Sequence, residues 1–483
     1  MQNKSQPEKT TLLKQMDWVT TLIPFVCILL LCFLFMVYPA GSSSILGSIR
    51  FFLGDQLGSY YLILGLAAVI CSLYMAFSPY GKIRLGNLPK PQYSSFQWGS
   101  MMFTAGLAAD ILFYSLCEWM LYAGEPHIAE MGAMQDWAGT YPLFHWGPIP
   151  WSFYIILAVS FGFMIHVRRR SKQKYSEACR ALLGSRVDGI WGRLIDLTAV
   201  FALLAGTATT FALATPLLSM ALSRVFGIPE TNFLTIAILA VICLVYTLAV
   251  YFGMKGVARL AASCVYLFFG LLAYFFFCGG QMRFIVETGL TSLGNLTQNF
   301  IGMATWTDSL RTSSFPQNWT IFYWAYWMVW CVATPFFIGT ISRGRTIRQT
   351  VLGGYFFGLA GTFTSFIILG NQGLGLQLSG RLDLLGIYAE TQDLYQTIIA
   401  IFETLPLAKA GLVLLALTMI AFYATSFDAL AIVASSYSYK SLDADEEPDK
   451  RVKLFWAVLL MLLPIALIFS ENSMTNLQTV SII

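Results

Sequence analysis

The chain has 483 residues, 57% of them hydrophobic and only 11% charged, with a mean hydropathy of +0.67. So few charged side chains cannot clothe soluble domains of this size, so the bilayer has to supply the solvent. The net charge of +4 does not point to nucleic acid, because Lys and Arg are distributed among loops instead of gathering in one patch.

Apolar runs of roughly 20 residues, the length an α-helix needs to cross a hydrocarbon core about 30 Å thick, recur along the chain. They occupy 18–38, 59–78, 95–123, 149–167, 194–223, 230–253, 258–282, 317–341, 349–375, 406–437 and 454–470. Eleven spanning helices are predicted, and the apolar turn at Ser481-Ile482-Ile483 is read as the start of a twelfth that the chain does not complete. The first run has full spanning length and lacks a small-residue cleavage pattern, so it is read as a helix and not as a leader. Stretches 284–304 and 386–404 mix apolar and polar residues and read as interfacial helices on the outer surface. The charged stretch 441–453 reads as a solvated cytoplasmic loop.

Orientation follows from Lys and Arg in short loops, which are retained on the cytoplasmic side. Lys4, Lys9 and Lys14 precede the first run; Lys82, Arg84 and Lys90 follow the second; Arg168, Arg169, Arg170, Lys172 and Lys174 follow the fourth. Lys255 and Arg259, then Arg343, Arg345 and Arg348, then Lys440, Lys450, Arg451 and Lys453 fall on the same side, while the 124–148 connection has none. The expectation is a multi-pass protein of the bacterial inner membrane with a cytoplasmic amino terminus at 1–17. Two peripheral helices occupy 18–94, a first group of five helices 95–283, an outer amphipathic helix 284–316, and a second, incomplete group 317–483. Five crossings per group invert the second relative to the first, which is the inverted-repeat plan of many secondary transporters. The fold class expected is therefore all-α, polytopic, with inverted five-helix repeats of the LeuT-like kind.

The eighth run carries Asn318-Trp319-Thr320-Ile321-Phe322-Tyr323-Trp324-Ala325-Tyr326-Trp327-Met328-Val329-Trp330. Tyr323, Trp327, Trp330 and Thr334 fall at i, i+4, i+7 and i+11, one face of a continuous helix. Aromatic stripes in membrane helices are more often packing or headgroup belts. This one runs deeper than a belt, and a second aromatic stretch, Phe144-His145-Trp146-Gly147-Pro148-Ile149-Pro150-Trp151-Ser152-Phe153-Tyr154, leads into the fourth run. A quaternary ammonium has no N–H to donate, so converging ring faces are what can hold it, at about 0.5–2 kcal/mol per cation–π contact.

Trp319-Thr320-x-Phe322-Tyr323-Trp324-Ala325-Tyr326-Trp327, followed by Ser342-Arg343-Gly344-Arg345-Thr346-Ile347-Arg348, resembles the signature of the betaine/choline/carnitine transporter family. The stretch 143–151 is most similar to the carnitine/γ-butyrobetaine exchangers. The resemblance covers the chain from about Trp18 onward, and implies a homotrimer of twelve-helix protomers working by alternating access. It implies a substrate box of Tyr326, Trp327 and Trp330 with Trp146, Trp151 and Tyr154. Tyr326 stands where the family more often has Trp, and its hydroxyl is suited to bonding a carboxylate. Trp330 matches glycine-betaine carriers, and Thr334 stands where carnitine exchangers carry Met. Carnitine, γ-butyrobetaine, glycine betaine and choline share one trimethylammonium head, and the residues do not choose among them.

Ionisable groups inside spanning segments are costly and point to function. Asp110 follows the small-residue run Ala105-Gly106-Leu107-Ala108-Ala109, where sodium-coupled betaine members look Gly-rich and proton-coupled choline members carry Asp. Loss of hydration disfavours its charged form, so Asp110 is expected to couple transport to protons or to replace a sodium ion, with capping of a break in the third helix as the structural alternative. Thr425 and Ser426 resemble the hydroxyl pair of the family's sodium site. Cys264 stands at the register of the exchangers' fixed Arg. Glu118 reads as a partner for hydroxyls or backbone, Asp428 as structural, and His145 as a hydrogen-bonded structural histidine more than a proton relay. Arg343, Arg345 and Arg348 divide evenly between positive anchors and gate residues. Paired catalytic carboxylates, a Ser/His/Asp order, a His/Cys metal cluster and a nucleotide-binding glycine loop are all missing at workable spacing. The chain is thus expected to be no enzyme and to need no cofactor or metal, its partners being a small quaternary ammonium substrate and the bilayer.

Overall fold

The computed structural model describes residues 12–106, 108–170, 172–252, 254–442 and 446–469. Among these residues the backbone is helical, joined by loops and by two isolated β-bridges, Met16 to Tyr439 and Arg84 to Thr346. In hydrocarbon a helix satisfies its own N–H and C=O groups, and the described residues of each of the eleven apolar runs are mostly helical. The principal helices are α1 (Trp18–Val37), α2 (Gly58–Phe77), α3 (Ser95–Ala105), α4 (Ala109–Ala123), α5 (Thr140–His145), α6 (Pro148–Gly162), α7 (Ile190–Phe226), α8 (Asn232–Phe252) and α9 (Met254–Cys278). They continue as α10 (Met282–Thr305), α11 (Ile321–Val329), α12 (Thr334–Ile341), α13 (Ile347–Ser365), α14 (Asn371–Leu378), α15 (Leu394–Glu403), α16 (Ala408–Tyr437) and α17 (Lys450–Phe469). Four helical stretches among the described residues are long and apolar enough to cross a membrane, and seven if each of three bent pairs counts as one span. The expected twelfth helix lies outside the described residues.

Two predicted continuous helices are broken. The third run divides into α3 and α4, bent by 63° around Gly106. The eighth divides at a 3₁₀ turn, Trp330–Val332, and α12 leaves at 54°. Pro335 explains the second break: it has no N–H to give and its ring excludes the carbonyl four residues back. The face drawn through Tyr323, Trp327, Trp330 and Thr334 is therefore not one face, because the helical register changes at Trp330. The predicted 386–404 stretch is likewise two helices, Leu384–Thr391 and α15, separated by Gln392 in the left-handed region at φ 54°. α15 buries Leu394, Ile398, Ile401 and Phe402, so it packs into the body of the protein. α10 turns 112° from α9 and exposes Val286, Leu290 and Ile301.

α6 lies against α2, α11, α12 and α13, and α7 against α4, α11, α16 and α17, so α11 packs on both α6 and α7. At the Lys- and Arg-rich end, loops far apart in sequence are tied together. Arg345 is buried with its guanidinium 4.1 Å over the Trp98 ring and donates to the carbonyls of Tyr93 and Ser94 at 3.2 Å. Arg84 donates to the Gly344 carbonyl at 2.7 Å, and Arg348 to that of Ala76 at 2.8 Å. Nearby, Lys174 reaches Asp17 at 3.1 Å and Asp196 at 4.0 Å, and Arg180 bonds both Glu177 and Asp188. Arg180 and Lys172 hold the Asp188 carboxyl well below the usual carboxylate range.

Candidate substrate site

The aromatic stretch before α6 is placed by its prolines and by a side-chain clasp. Pro148 and Pro150 open α6, where a missing N–H costs nothing. Trp146, just before it, is fixed at both ends: its carbonyl accepts from Thr362 Oγ1 at 3.0 Å and its indole N–H donates to Glu118 Oε2 at 2.7 Å. Trp151 points into a slot made by two glycines. A Cβ built on Gly106 would stand 2.6 Å from its Cζ2, and one on Gly358 2.6 Å from its Cε3 and Cζ3, distances at which only a hydrogen fits.

Trp327, on α11, is the hub. Its ring centroid lies 5.5 Å from Trp146, 5.7 Å from Trp151 and 4.9 Å from Tyr154, all tilted or edge-on. Tyr323 and Tyr114 extend the group through Trp146, at 5.8 and 5.6 Å. The indole nitrogens of Trp327 and Trp151 are buried and lack a hydrogen-bond partner, so two donors are held ready for an acceptor brought by a ligand or by water.

The adjacent Tyr326 faces elsewhere. Its hydroxyl donates to Asp110 Oδ2 and lies 2.7 Å from Thr210 Oγ1, which itself reaches Asp110 Oδ2 at 3.3 Å. Its ring stacks on Phe322 and meets Tyr114 edge-on. Asp110 Oδ1 accepts the Ile111 N–H at 3.0 Å in the first turn of α4, where the helix dipole favours a carboxylate. Asp110 thus bonds an N–H of the first turn of α4 and two hydroxyls beside the aromatic group, while the N-cap position itself is Ala108, without a side-chain cap. Trp330 lies against α7, its Nε1 3.4 Å from where a Cβ on Gly206 would stand, and makes none of the ring contacts described above.

The model of the betaine/carnitine/choline family transporters matches residues 19–483. The chain belongs to that family. Among curated relatives, a carnitine transporter of Acinetobacter baumannii is 28% identical over 429 residues, 87% of this chain and 77% of the relative. A probable glycine betaine transporter of Desulfitobacterium hafniense is 29% identical over 452 residues, 92% of this chain and 89% of the relative. A transporter of Escherichia coli named only as uncharacterized is 28% identical over 411 residues, covering 84% and 85%. This betaine/carnitine/choline family transporter is a polytopic membrane protein built almost wholly of helix.

Of the six box residues read from the transporter's sequence, Trp146, Trp151, Tyr154 and Trp327 come together, while Tyr326 and Trp330 lie to either side. Ser426 is half-buried on α16; the side chains of Thr425 and Asp428 lie outside the described residues. Thr210 and Tyr114 were not singled out from sequence. Tyr114 follows Asp110 by four residues and so shares its face of α4, and Thr210 ends the polar run Thr207-Ala208-Thr209-Thr210 inside an otherwise apolar helix. Both signals were available. His145 is buried and bonded to Tyr122 and Thr320. Glu118 meets the Tyr122 hydroxyl at 2.6 Å as well as Trp146.

Proposed function

We propose that this transporter carries a small quaternary ammonium compound, carnitine, γ-butyrobetaine or glycine betaine, by alternating access, with the trimethylammonium head held on the faces of Trp146, Trp151, Tyr154 and Trp327. The observation that carries the reading is the convergence of three rings on Trp327 within 4.9 to 5.7 Å. Repacking of these rings around a cation gives several cation–π contacts at once, and the two free indole N–H groups suit a carboxylate at the other end of a zwitterion. Tyr326 and Trp330 complete the box from its flanks.

The inverted-repeat plan, with boundaries near 95–283 and 317–483, is supported by the paired breaks. α3/α4 and α11/α12 open the two groups, each is bent, and the candidate site lies beside both bends, as in transporters with discontinuous helices. A homotrimer in the bacterial inner membrane with a cytoplasmic amino terminus completes the reading. Asp110, with Thr425 and Ser426 as the other coupling candidates, favours a second reading, a proton-coupled choline symporter, because a buried carboxylate is bonded directly to the box residue Tyr326.

The test is a thermal-shift panel of the four compounds on purified protein, followed by uptake into proteoliposomes. A carnitine isostere with a neutral tert-butyl head is expected not to compete. Equal competition would mean that shape and not charge is recognised.

A further inference from the structure

Bonded to the aromatic group is a second buried acid. Glu118 sits on α4 eight residues after Asp110, about 12 Å further along the helix axis. Its Oε2 accepts the Trp146 indole N–H at 2.7 Å and its Oε1 accepts the Tyr122 hydroxyl at 2.6 Å. The Tyr122 oxygen lies 2.7 Å from His145 Nδ1, and His145 Nε2 lies 3.0 Å from Thr320 Oγ1. The His145 ring stacks at 4.9 Å on Tyr323, which meets Trp146 edge-on. Glu118, Tyr122 and His145 are fully buried.

These four groups form an unbroken hydrogen-bonded chain, which has two consistent polarities while His145 is neutral. With Glu118 ionised, Tyr122 donates to it, His145 Nδ1–H donates to Tyr122, and Nε2 accepts from Thr320. A proton from water passed to Thr320 Oγ1 releases the threonine's own proton to Nε2; Nδ1 gives its proton to the Tyr122 oxygen, and Tyr122 gives its own to Glu118 Oε1. One proton has entered and one carboxylate has become a carboxylic acid. Every bond in the chain has reversed, with Glu118 now donating to Tyr122, Tyr122 to Nδ1, and Nε2–H to Thr320. The Trp146 N–H keeps its acceptor, but the acceptor is now neutral, and a charge-assisted bond is roughly twice as strong as a neutral one.

We propose that Glu118 is a positioning residue whose proton, exchanged through Tyr122 and His145, sets how strongly Trp146 grips a cationic head. An indole that donates to a carboxylate is held in place and carries more negative charge on its face; both effects favour a cation. Protonating Glu118 removes both. Proton and substrate therefore oppose one another at this site, and linkage makes the effect reciprocal. The proposal rests on the quaternary ammonium reading above.

The other titratable groups around Glu118 are Tyr114, Cys117 and Tyr122 on α4, Tyr141 and His145 on α5, and Tyr323 on α11. His127 bonds Tyr141 at 2.7 Å, Tyr395 of α15 lies against Phe113, and Tyr423 of α16 bonds Thr215. Residues 366–378 contribute no ionisable group. Arg348 of α13 and Arg224 of α7 stand at helix ends, bonded to Ala76 and beside Glu403.

The experiment measures the Kd of choline and glycine betaine on the purified full chain between pH 5.5 and 8.5. Wild type is expected to bind roughly three- to tenfold more weakly at the acid end, the margin between a charge-assisted and a neutral bond. Glu118→Gln should bind at the weak level throughout with that pH response gone, while Asp110→Asn keeps it. In a Trp146→Phe background, which lacks the indole N–H, Glu118→Gln should change nothing further. Should Glu118→Gln fail to fold, Tyr122→Phe, which removes a donor to the charged acid, should move the midpoint of the pH response to higher pH. A wild-type pH response retained in Glu118→Gln, or an undiminished Glu118→Gln effect without the indole N–H, overturns the proposal. Binding of neither probe at any pH would sink the quaternary ammonium reading itself, whereas binding with a flat pH profile leaves that reading standing and removes this one.

Discussion

Gly358→Ala places one methyl group against the most tightly enclosed ring of the site. The new Cβ would lie 2.6 Å from Cε3 and Cζ3 of Trp151 and 2.7 Å from its Cδ2, where carbon atoms prefer about 3.5–4.0 Å. Trp151 therefore has to retreat by about 1 Å, but Gly106 backs it on another side, with its own would-be Cβ 2.6 Å from Cζ2. Overpacking of this kind costs about 1–3 kcal/mol. The ring can yield only toward Trp327 and Tyr154, now 5.7 and 5.8 Å away, which spoils one cation–π face worth about 0.5–2 kcal/mol. The expected result is a lowered apparent melting temperature together with a Kd for the preferred quaternary ammonium raised about 3- to 30-fold. Titration calorimetry and thermal denaturation on one preparation give both numbers. Gly358→Ala with Trp151→Phe, which deletes the clashing half of the indole, should recover the melting temperature and not the affinity. Gly294→Ala on α10, where nothing lies within 4 Å of the added carbon, serves as the control and should be harmless. A Gly358→Ala protein that melts and binds like wild type would refute the placement of Trp151 in the site.

Trp327→Ala removes the hub of three ring contacts and should weaken binding at least tenfold, while Trp327→Phe, keeping a face, should lose only a few-fold; equal losses measured by calorimetry would argue against ring-face recognition. Asp110→Asn should abolish the response of proteoliposome uptake to an imposed pH gradient without abolishing counterflow exchange; unimpaired coupling would leave Asp110 as a first-turn acceptor in α4. His127, half-buried against Trp306 and Phe315 with only partial compensation from the charge of Asp308, has its pKa lowered from 6.5 to about 4 by lost hydration. The unfolded chain then takes up the proton first as pH falls, so stability present above about pH 6.5 is lost progressively toward pH 4. His127→Phe should flatten that part of the melting-temperature profile, and an unchanged slope would mean that other groups govern it.

Helix positions were readable from hydropathy because lipid demands uninterrupted apolar stretches of fixed length. The helix breaks were harder. Gly106 and Pro335 both announce a possible interruption, yet periodicity carried straight across Trp330 puts Thr334 on a face from which the 54° bend removes it. Within the aromatic group, composition gave the residue types but not their pairing. Tyr326 and Trp327 are neighbours in sequence and turn to opposite tasks, one bonded to Asp110 and the other central to the rings, a separation set by the roughly 100° step of a helix and by what α4 and α6 present to each side. Trp146 and Glu118 are 28 residues apart; nothing local links them, and only the packing of α5 beside α4 does.

The arginine and lysine residues between α6 and α7 serve at two different times. While the chain is being inserted, their charges stand free and bias which side of the membrane the loop stays on. In the folded protein Lys172, Lys174 and Arg180 are spoken for by Asp17, Asp188, Asp196 and Glu177. Since acidic residues contribute little to orientation, the acids that pair with this loop work only in the second stage. Neutralising Asp188 or Asp196 should therefore loosen a correctly inserted loop, whereas neutralising their basic partners burdens biogenesis and the finished fold alike.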